Sequence, residues 1–297
     1  MRVENSNGQS ETVATSKAVK DNAEIYYDND DSDRFYFHVW GGEDIHVGLY
    51  KEPVDQDEIR EASLRTDEWL AGELAMTGVL QGQAKGLDLG AGYGGAARFL
   101  VRKFGVSIDC LNIAPVQNKR NEEYNIEAGL ADKITVKYGS FLEIPCEDNS
   151  YDFIWSQDAF LHSPDKLKVF QECARVLKPR GVMAITDPMK EDGIDKSSIQ
   201  PILDRIKLHD MGSLVLYRSL AKECGLVTLR TFSRPDSLVH HYSKVKAELI
   251  KRSTEIASFC SPQFQANMKR GLDHWIEGGK AGKLTWGGML FRKCDEI

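Results

Sequence analysis

The residues best placed for chemistry in this 297-residue chain are Asp88, Gly90, Gly92 and Gly94, within Leu87-Asp88-Leu89-Gly90-Ala91-Gly92-Tyr93-Gly94-Gly95. A short apolar run ends in glycines at alternate positions, and a helical pattern follows. Glycine lets a backbone turn sharply and approach a ligand with no Cβ in the way. The helix that follows would aim its first amides and the positive end of its dipole at that ligand. This is a loop for a nucleotide-type cofactor. Gly90-x-Gly92-x-x-Gly95 also satisfies the dinucleotide pattern, which expects an acid about 20 residues on, at the end of the second strand. In Ser107-Ile108-Asp109-Cys110-Leu111-Asn112 the acid lies inside the strand and Asn112 ends it. An asparagine can hydrogen-bond ribose hydroxyls without adding charge.

These residues need a frame that alternates strand and helix. Strands are expected at 84–89, 106–111, 133–138, 150–155, 181–186 and 226–231, with a last one over 283–293. Ala97, Leu100, Val101 and Phe104 recur at helical spacing, and Gly105 stops that helix. Ser163-Pro164-Asp165 reads as the cap, first-turn proline and acidic start of another, and Lys178-Pro179-Arg180-Gly181 as a turn. Further helices are expected over 58–79, 195–211, 214–224, 237–258 and 262–277, the last capped by Ser261. The expectation is an α/β fold: a doubly wound, seven-stranded, mostly parallel sheet with helices on both faces. Residues 1–20 read as a disordered arm and 21–80 as a helical, aromatic-rich lid. The core then runs over 81–297, with a helical insertion near 235–280 before the last strand.

Composition narrows the function. A net charge of −7, with no run of lysine and arginine, argues against a nucleic-acid surface. No stretch approaches the ~20 apolar residues of a membrane span, and the first 20 residues lack the apolar centre of a secretory signal. Six scattered cysteines without a C-x-x-C pair fit reduced thiols in the cytoplasm rather than a metal site. Nothing in the chain speaks to oligomeric state.

Four runs together resemble the core of class I S-adenosylmethionine-dependent methyltransferases: Asp88–Gly94, Gly139-Ser140-Phe141-Leu142-Glu143-Ile144-Pro145, Tyr151–His162 and Ala174–Gly181. Phe35–Tyr50, Leu111–Asn118 and the ending Trp286-Gly287-Gly288 are more similar to the sarcosine/dimethylglycine N-methyltransferases that form glycine betaine. The resemblance implies S-adenosylmethionine as cofactor. It assigns cofactor contact to Asp88, Gly90, Ala91, Gly92, Gly94, Asn112, Ile113, Gln117, Gly139, Ser140, Phe141, Gln157 and Asp158, and to Tyr26 and Tyr27 from the lid. Asn112 and Ser140 stand where the wider class usually carries acids, for the ribose and adenine respectively.

The implied reaction is an in-line attack of an amine on a sulfonium methyl, so the protein mainly positions reactants and excludes water. A small zwitterionic acceptor would want an arginine for its carboxylate and aromatic faces for a nitrogen that becomes cationic. His162, Trp40 and His46 are the candidate catalytic residues, with Tyr50 a further aromatic. Asp158 is expected to shape the pocket or contact cofactor. Arg205, Arg218 and Arg234 are equivalent candidates for the carboxylate, and His240-His241-Tyr242 lines the pocket or merely starts a helix. The partner expected is a small-molecule amine. Two rivals stay open: a C- or O-methyltransferase of a larger lipid-like acceptor, and an NAD-dependent oxidoreductase or binding protein.

Overall fold

The computed structural model describes residues 30–206 and 208–295. Seven strands form one sheet: β1 (Lys85–Leu89), β2 (Ser107–Asn112), β3 (Ile134–Tyr138), β4 (Tyr151–Gln157), β5 (Leu177–Lys190), β6 (Leu226–Ser233) and β7 (Leu284–Lys293). Their order is β3-β2-β1-β4-β5-β7-β6. The first five pair in parallel, while β7 runs antiparallel to both neighbours. The order reverses between β1 and its neighbours β2 and β4. Ligands of such sheets bind at that switch point, outside the carboxyl ends of the strands.

Ten helices are described. They are α1 (Asp30–Phe35), α2 (Ile59–Ala75), α3 (Gly95–Phe104), α4 (Pro115–Glu127), α5 (Lys166–Val176), α6 (Gln200–Arg205), α7 (Leu214–Glu223), α8 (Pro235–Lys251), α9 (Ser253–Ile256) and α10 (Pro262–Lys280). Two apolar clusters fill the faces of the sheet, around Leu87, Ile154 and Phe291 on one side and Phe153, Trp155 and Leu290 on the other. A third joins the chain around Phe35, Tyr36 and Trp40 to α6, α8 and α10. It builds a roof over the carboxyl edge of the sheet. Among the described residues no helix is long and apolar enough to cross a membrane.

Several local expectations change. Ser163 does not cap α5: Asp165 does, accepting from the Lys168 N–H at 2.9 Å, while the Ser163 hydroxyl accepts the Asp165 N–H. The helix expected over 195–211 reduces to a single turn at Lys196–Ile199 followed by α6, because Pro201 lacks the amide that would carry a helix through. The helix expected over 237–258 breaks at Arg252, whose guanidinium is drawn to Glu255 and to the His38 carbonyl. The turn at 178–181 stays within a longer β5 as an irregularity, with Arg180 at φ 65°.

The helix α4 has no apolar stripe. Its buried residues are Gln117, Asn118, Asn121 and Asn125. Asn121 and Asn125 meet Arg98 of α3, which is only 2% exposed, while Gln117 and Asn118 bond to Asn112. The Arg98 guanidinium donates to Asn121 Oδ1 at 3.2 Å, Asn125 Oδ1 at 2.8 Å, the Tyr93 carbonyl at 2.6 Å and Glu43 Oε2 at 2.7 Å. One cation thereby joins the glycine loop, α4 and the N-terminal segment. Arg98→Met is expected to lower unfolding free energy by about 3–5 kcal/mol, since it strands several buried acceptors at once. Urea unfolding checks this, and a shift below about 1 kcal/mol would refute the central role given to Arg98.

Candidate functional site

The glycine loop sits at the switch point. Gly90, Gly92 and Gly94 have φ of 77°, 53° and 77°, the left-handed region that favours glycine. Gly90 is also held close: its amide donates to the Leu111 carbonyl at 2.8 Å, and a Cβ there would fall 2.5 Å from that of Ala159. Chain and ligand can therefore meet backbone to face.

A cavity opens beside the loop, about 830 Å³ with its mouth. It is lined by Gly90, Gly92, Asn112, Ile113, Gln117, Gly139, Ser140, Phe141, Gln157, Asp158 and His162, among others. The polar groups are pre-aimed. Asn112 Nδ2 donates to Gln117 Oε1 at 3.0 Å, and the Trp155 indole donates to Gln157 Oε1 at 2.8 Å. Each glutamine is left with a buried Nε2 that has no partner among the described residues. Two orphaned amide donors in an otherwise ordered wall fit a ligand rich in acceptor oxygens and nitrogens. The flat side of the cavity is apolar, with Leu111, Ile113, Phe141 and Leu142. The Ser140 hydroxyl accepts the Leu142 N–H at 3.2 Å and so caps its own turn.

Asp88, Ala91 and Gly94 do not line the cavity; they shape the loop from behind. There Asp88 joins Asp44, His46 and Asp67 in a buried acidic group. His46 Nε2 lies 3.1 Å from Asp67 Oδ1, and the Asp44 carboxylate lies against Gly95 at the start of α3, where a Cβ would clash with it. Burial, with Asp67 and Asp44 nearby, pushes Asp88 up to about 8. Burial and Asp67 push Asp44 up to about 7. Burial alone would lower His46, but Asp67, Asp44 and Asp158 carry it up to about 9. Asp44, His46 and Asp67 each bring a ligating atom within 4.8 Å of the others. His46 itself is 5% exposed and borders neither cavity, so its ring supports the N-terminal segment rather than facing a reactant.

A second cavity, about 500 Å³ with its mouth, lies under the roof. Tyr36, Trp40, Tyr242, Trp275 and Arg205 border it, and it shares Ile45, Asp158 and His162 with the first. These three residues form a neck between the two. Tyr242 stacks on Trp275 at 4.9 Å, and Trp40 lies 5.0 Å from Tyr36 and 5.7 Å from Tyr242. His241 points away from the cavity: it is fully buried, contacts the Tyr50 hydroxyl at 3.0 Å and is pulled down to about 3 by burial. Tyr50 is thus occupied by packing. Tyr26 and Tyr27 lie outside the described residues. Trp275, in α10, carried no sequence signal beyond its helix; Tyr36 belonged to the aromatic run but not to the candidates.

The neck is firmly held. Asp158 has φ 52°. Its carboxylate accepts from the Val47 N–H at 2.7 Å, the Thr186 hydroxyl at 2.8 Å and the Trp286 indole at 2.8 Å. Asp187 fixes the turn that carries His162, accepting from the Leu161 N–H and the Tyr217 hydroxyl. Burial, helped by Lys166, pulls His162 down to about 4, so its imidazole is neutral at physiological pH.

Residues 87–185 match the methyltransferase domain family. The chain is 43% identical to the sarcosine/dimethylglycine N-methyltransferase of Aphanothece halophytica, over 93% of this chain and 98% of that protein. It is 95% identical to a candidate sarcosine dimethylglycine methyltransferase from Galdieria sulphuraria solved by crystallography, with a TM-score of 0.88 over 92% of this chain and all of that one. Haemonchus contortus phosphoethanolamine N-methyltransferase 2, solved with S-adenosylhomocysteine, shares the fold at 17% identity, with a TM-score of 0.78 over 93% of this chain and 60% of that one. The chain belongs to the methyltransferases, in the family of the sarcosine/dimethylglycine N-methyltransferases.

Proposed function

We propose that the protein methylates the nitrogen of sarcosine and dimethylglycine with S-adenosylmethionine, ending at glycine betaine in the cytoplasm. The observation that carries this reading is a pair of cavities that meet at one neck, the first built on the glycine loop and the second walled by aromatic rings and an arginine. The second cavity is the smaller, which favours a small acceptor over a lipid-like one. The match of residues 87–185 to the methyltransferase domain family favours this cofactor over a dinucleotide.

When bound, S-adenosylmethionine supplies a methyl group on a cationic sulfonium. On the protein side, Asn112 and Gln117 would hold ribose hydroxyls, Gln157 would add a donor, and Leu111, Ile113 and Phe141 would flank the adenine. Asp88 and Asp44 lie behind the loop as anionic backing for an ammonium group. Ile45, Asp158 and His162 limit the approach of the reactants to a single line, which is where positioned reactants gain most. His162, kept neutral, offers an acceptor for the N–H of the arriving ammonium, and that proton leaves to solvent before the nitrogen lone pair attacks the methyl carbon. Tyr36, Trp40, Tyr242 and Trp275 offer ring faces to the nitrogen as it becomes cationic, each contact worth roughly 1–2 kcal/mol when desolvated.

Methyl-transfer assays on glycine, sarcosine, dimethylglycine and betaine test the reading. Turnover is expected with sarcosine and dimethylglycine, and turnover with neither overturns it. Trp40→Phe should keep most activity, whereas Trp40→Ala should lower kcat/KM for dimethylglycine by about 10- to 100-fold while S-adenosylhomocysteine affinity stays within about threefold. Equal losses in both would assign Trp40 to the cofactor side. Ligand binding should also release protons. The free protein holds protons on Asp88 and Asp44 up to about pH 8 and 7, and a cationic ammonium favours their ionised forms. Affinity for S-adenosylhomocysteine should therefore rise from pH 6 to pH 8, by up to roughly tenfold per unit for each proton released. Calorimetry in buffers of different ionisation enthalpy measures the release, and a pH-independent affinity would contradict it.

A further inference from the structure

Arg205, Arg218 and Arg234 are indistinguishable in the sequence, but the fold separates them. Arg218 borders a groove with Ser219, Lys222 and Thr228 that shares no residue with either cavity. Arg234 lies over the Trp69 ring at 5.0 Å. Of the three, only Arg205 borders the cavity that meets the neck.

The surroundings of Arg205 leave its charge unanswered. It is the last residue of α6, and its guanidinium is pressed against the backbone of α10: a Cβ on Gly271 would fall 1.9 Å from Nε. Alanine is favoured over glycine inside a helix, so glycine here makes room for this side chain. Met268, Gly271 and Trp275 follow one another at helical spacing along one face of α10. Nη2 donates to the Met268 thioether at 3.0 Å. A thioether is a weak acceptor for a group with five N–H donors. Among the described residues no carboxylate pairs with Arg205. Trp40 borders the same cavity, and its buried indole N–H also has no acceptor among the described residues. Two unanswered donors, one of them cationic and fork-shaped, share a cavity whose other walls are aromatic and apolar except at the neck, where Asp158 and His162 stand.

We propose that Arg205, assisted by the Trp40 indole N–H, is the subsite for the acceptor's carboxylate, with Gly271 as a positioning residue. This rests on the reading above, in which the amine sits at the neck. It adds the basis for selecting amino acids over amino alcohols: a planar, two-pronged donor matched to a carboxylate. An acceptor without that group would leave the half-buried guanidinium unmatched.

The test uses the full chain saturated with S-adenosylhomocysteine, titrated calorimetrically with dimethylglycine and with 2-dimethylaminoethanol, alongside steady-state kinetics. The wild type should bind dimethylglycine in preference to the alcohol. Arg205→Gln should weaken dimethylglycine binding and raise its KM by on the order of a hundredfold, remove most of the preference, and leave S-adenosylhomocysteine affinity unchanged. Arg205→Lys, which keeps the charge but not the fork, should raise KM by roughly tenfold. If Arg205→Gln fails to bind S-adenosylhomocysteine, the lysine variant decides. An unchanged KM in a variant with normal S-adenosylhomocysteine affinity overturns the proposal, as does a wild type that binds both acceptors equally. Because binding is read without turnover, an inactive wild type that still binds dimethylglycine through Arg205 would overturn the proposed reaction and leave the subsite standing.

Discussion

The Asp158 carboxylate is the fixed point of this structure. It receives one hydrogen bond from the N-terminal segment at Val47 and one from each of two adjacent strands, β5 at Thr186 and β7 at Trp286. Hydrogen bonds to a charged group contribute roughly 1.5–3 kcal/mol each, and the three offset part of the cost of burying the carboxyl group, which burial still holds above the ordinary carboxylate range. They also hold a non-glycine residue at a positive φ, which an isolated chain would resist. Ile45 and His162 border both cavities beside Asp158. The roof closes over the sheet at the same atom that separates the two cavities.

Charge is distributed along the same axis. Carboxylates gather behind the glycine loop, His46 is bound into that group by Asp67, and Arg98 is taken up by Glu43 and by α4. At the other end Arg205 stands without a carboxylate. Between them the neck carries the Asp158 carboxyl group and the His162 imidazole. Carboxyl groups thus lie behind the first cavity and a guanidinium beside the second.

The central sheet was legible because buried parallel strands read as short apolar runs and because Gly90, Gly92 and Gly94 mark a left-handed backbone that other residues adopt only with strain. The edge of the first cavity was legible for the same reason: Asn112, Gln157 and His162 follow directly on those runs. Helix α4 was harder to see as a packed element, since it buries asparagines and a glutamine. A search for apolar spacing finds only polarity there, although Arg98 supplies partners for it. The second cavity was legible only in part. Trp40 stood out, but Tyr36, Arg205, Tyr242 and Trp275 come from four distant segments and meet only through the packing of α6, α8 and α10. His46 looked like a reactive residue because its type permits it; its position behind the wall depends on Asp67, which lies 21 residues further along the chain.

The second cavity draws almost none of its wall from the strands. Its residues belong to the N-terminal segment, to the turn after β4, to α6 and to the helices inserted before β7, whereas the first cavity is built from strand ends that the sheet's own packing constrains. Such a division matters for descent. Substitutions in the wall of the second cavity leave the glycine loop, Asn112 and Gln157 where they are, so the shape of one cavity can drift while the other is inherited unchanged.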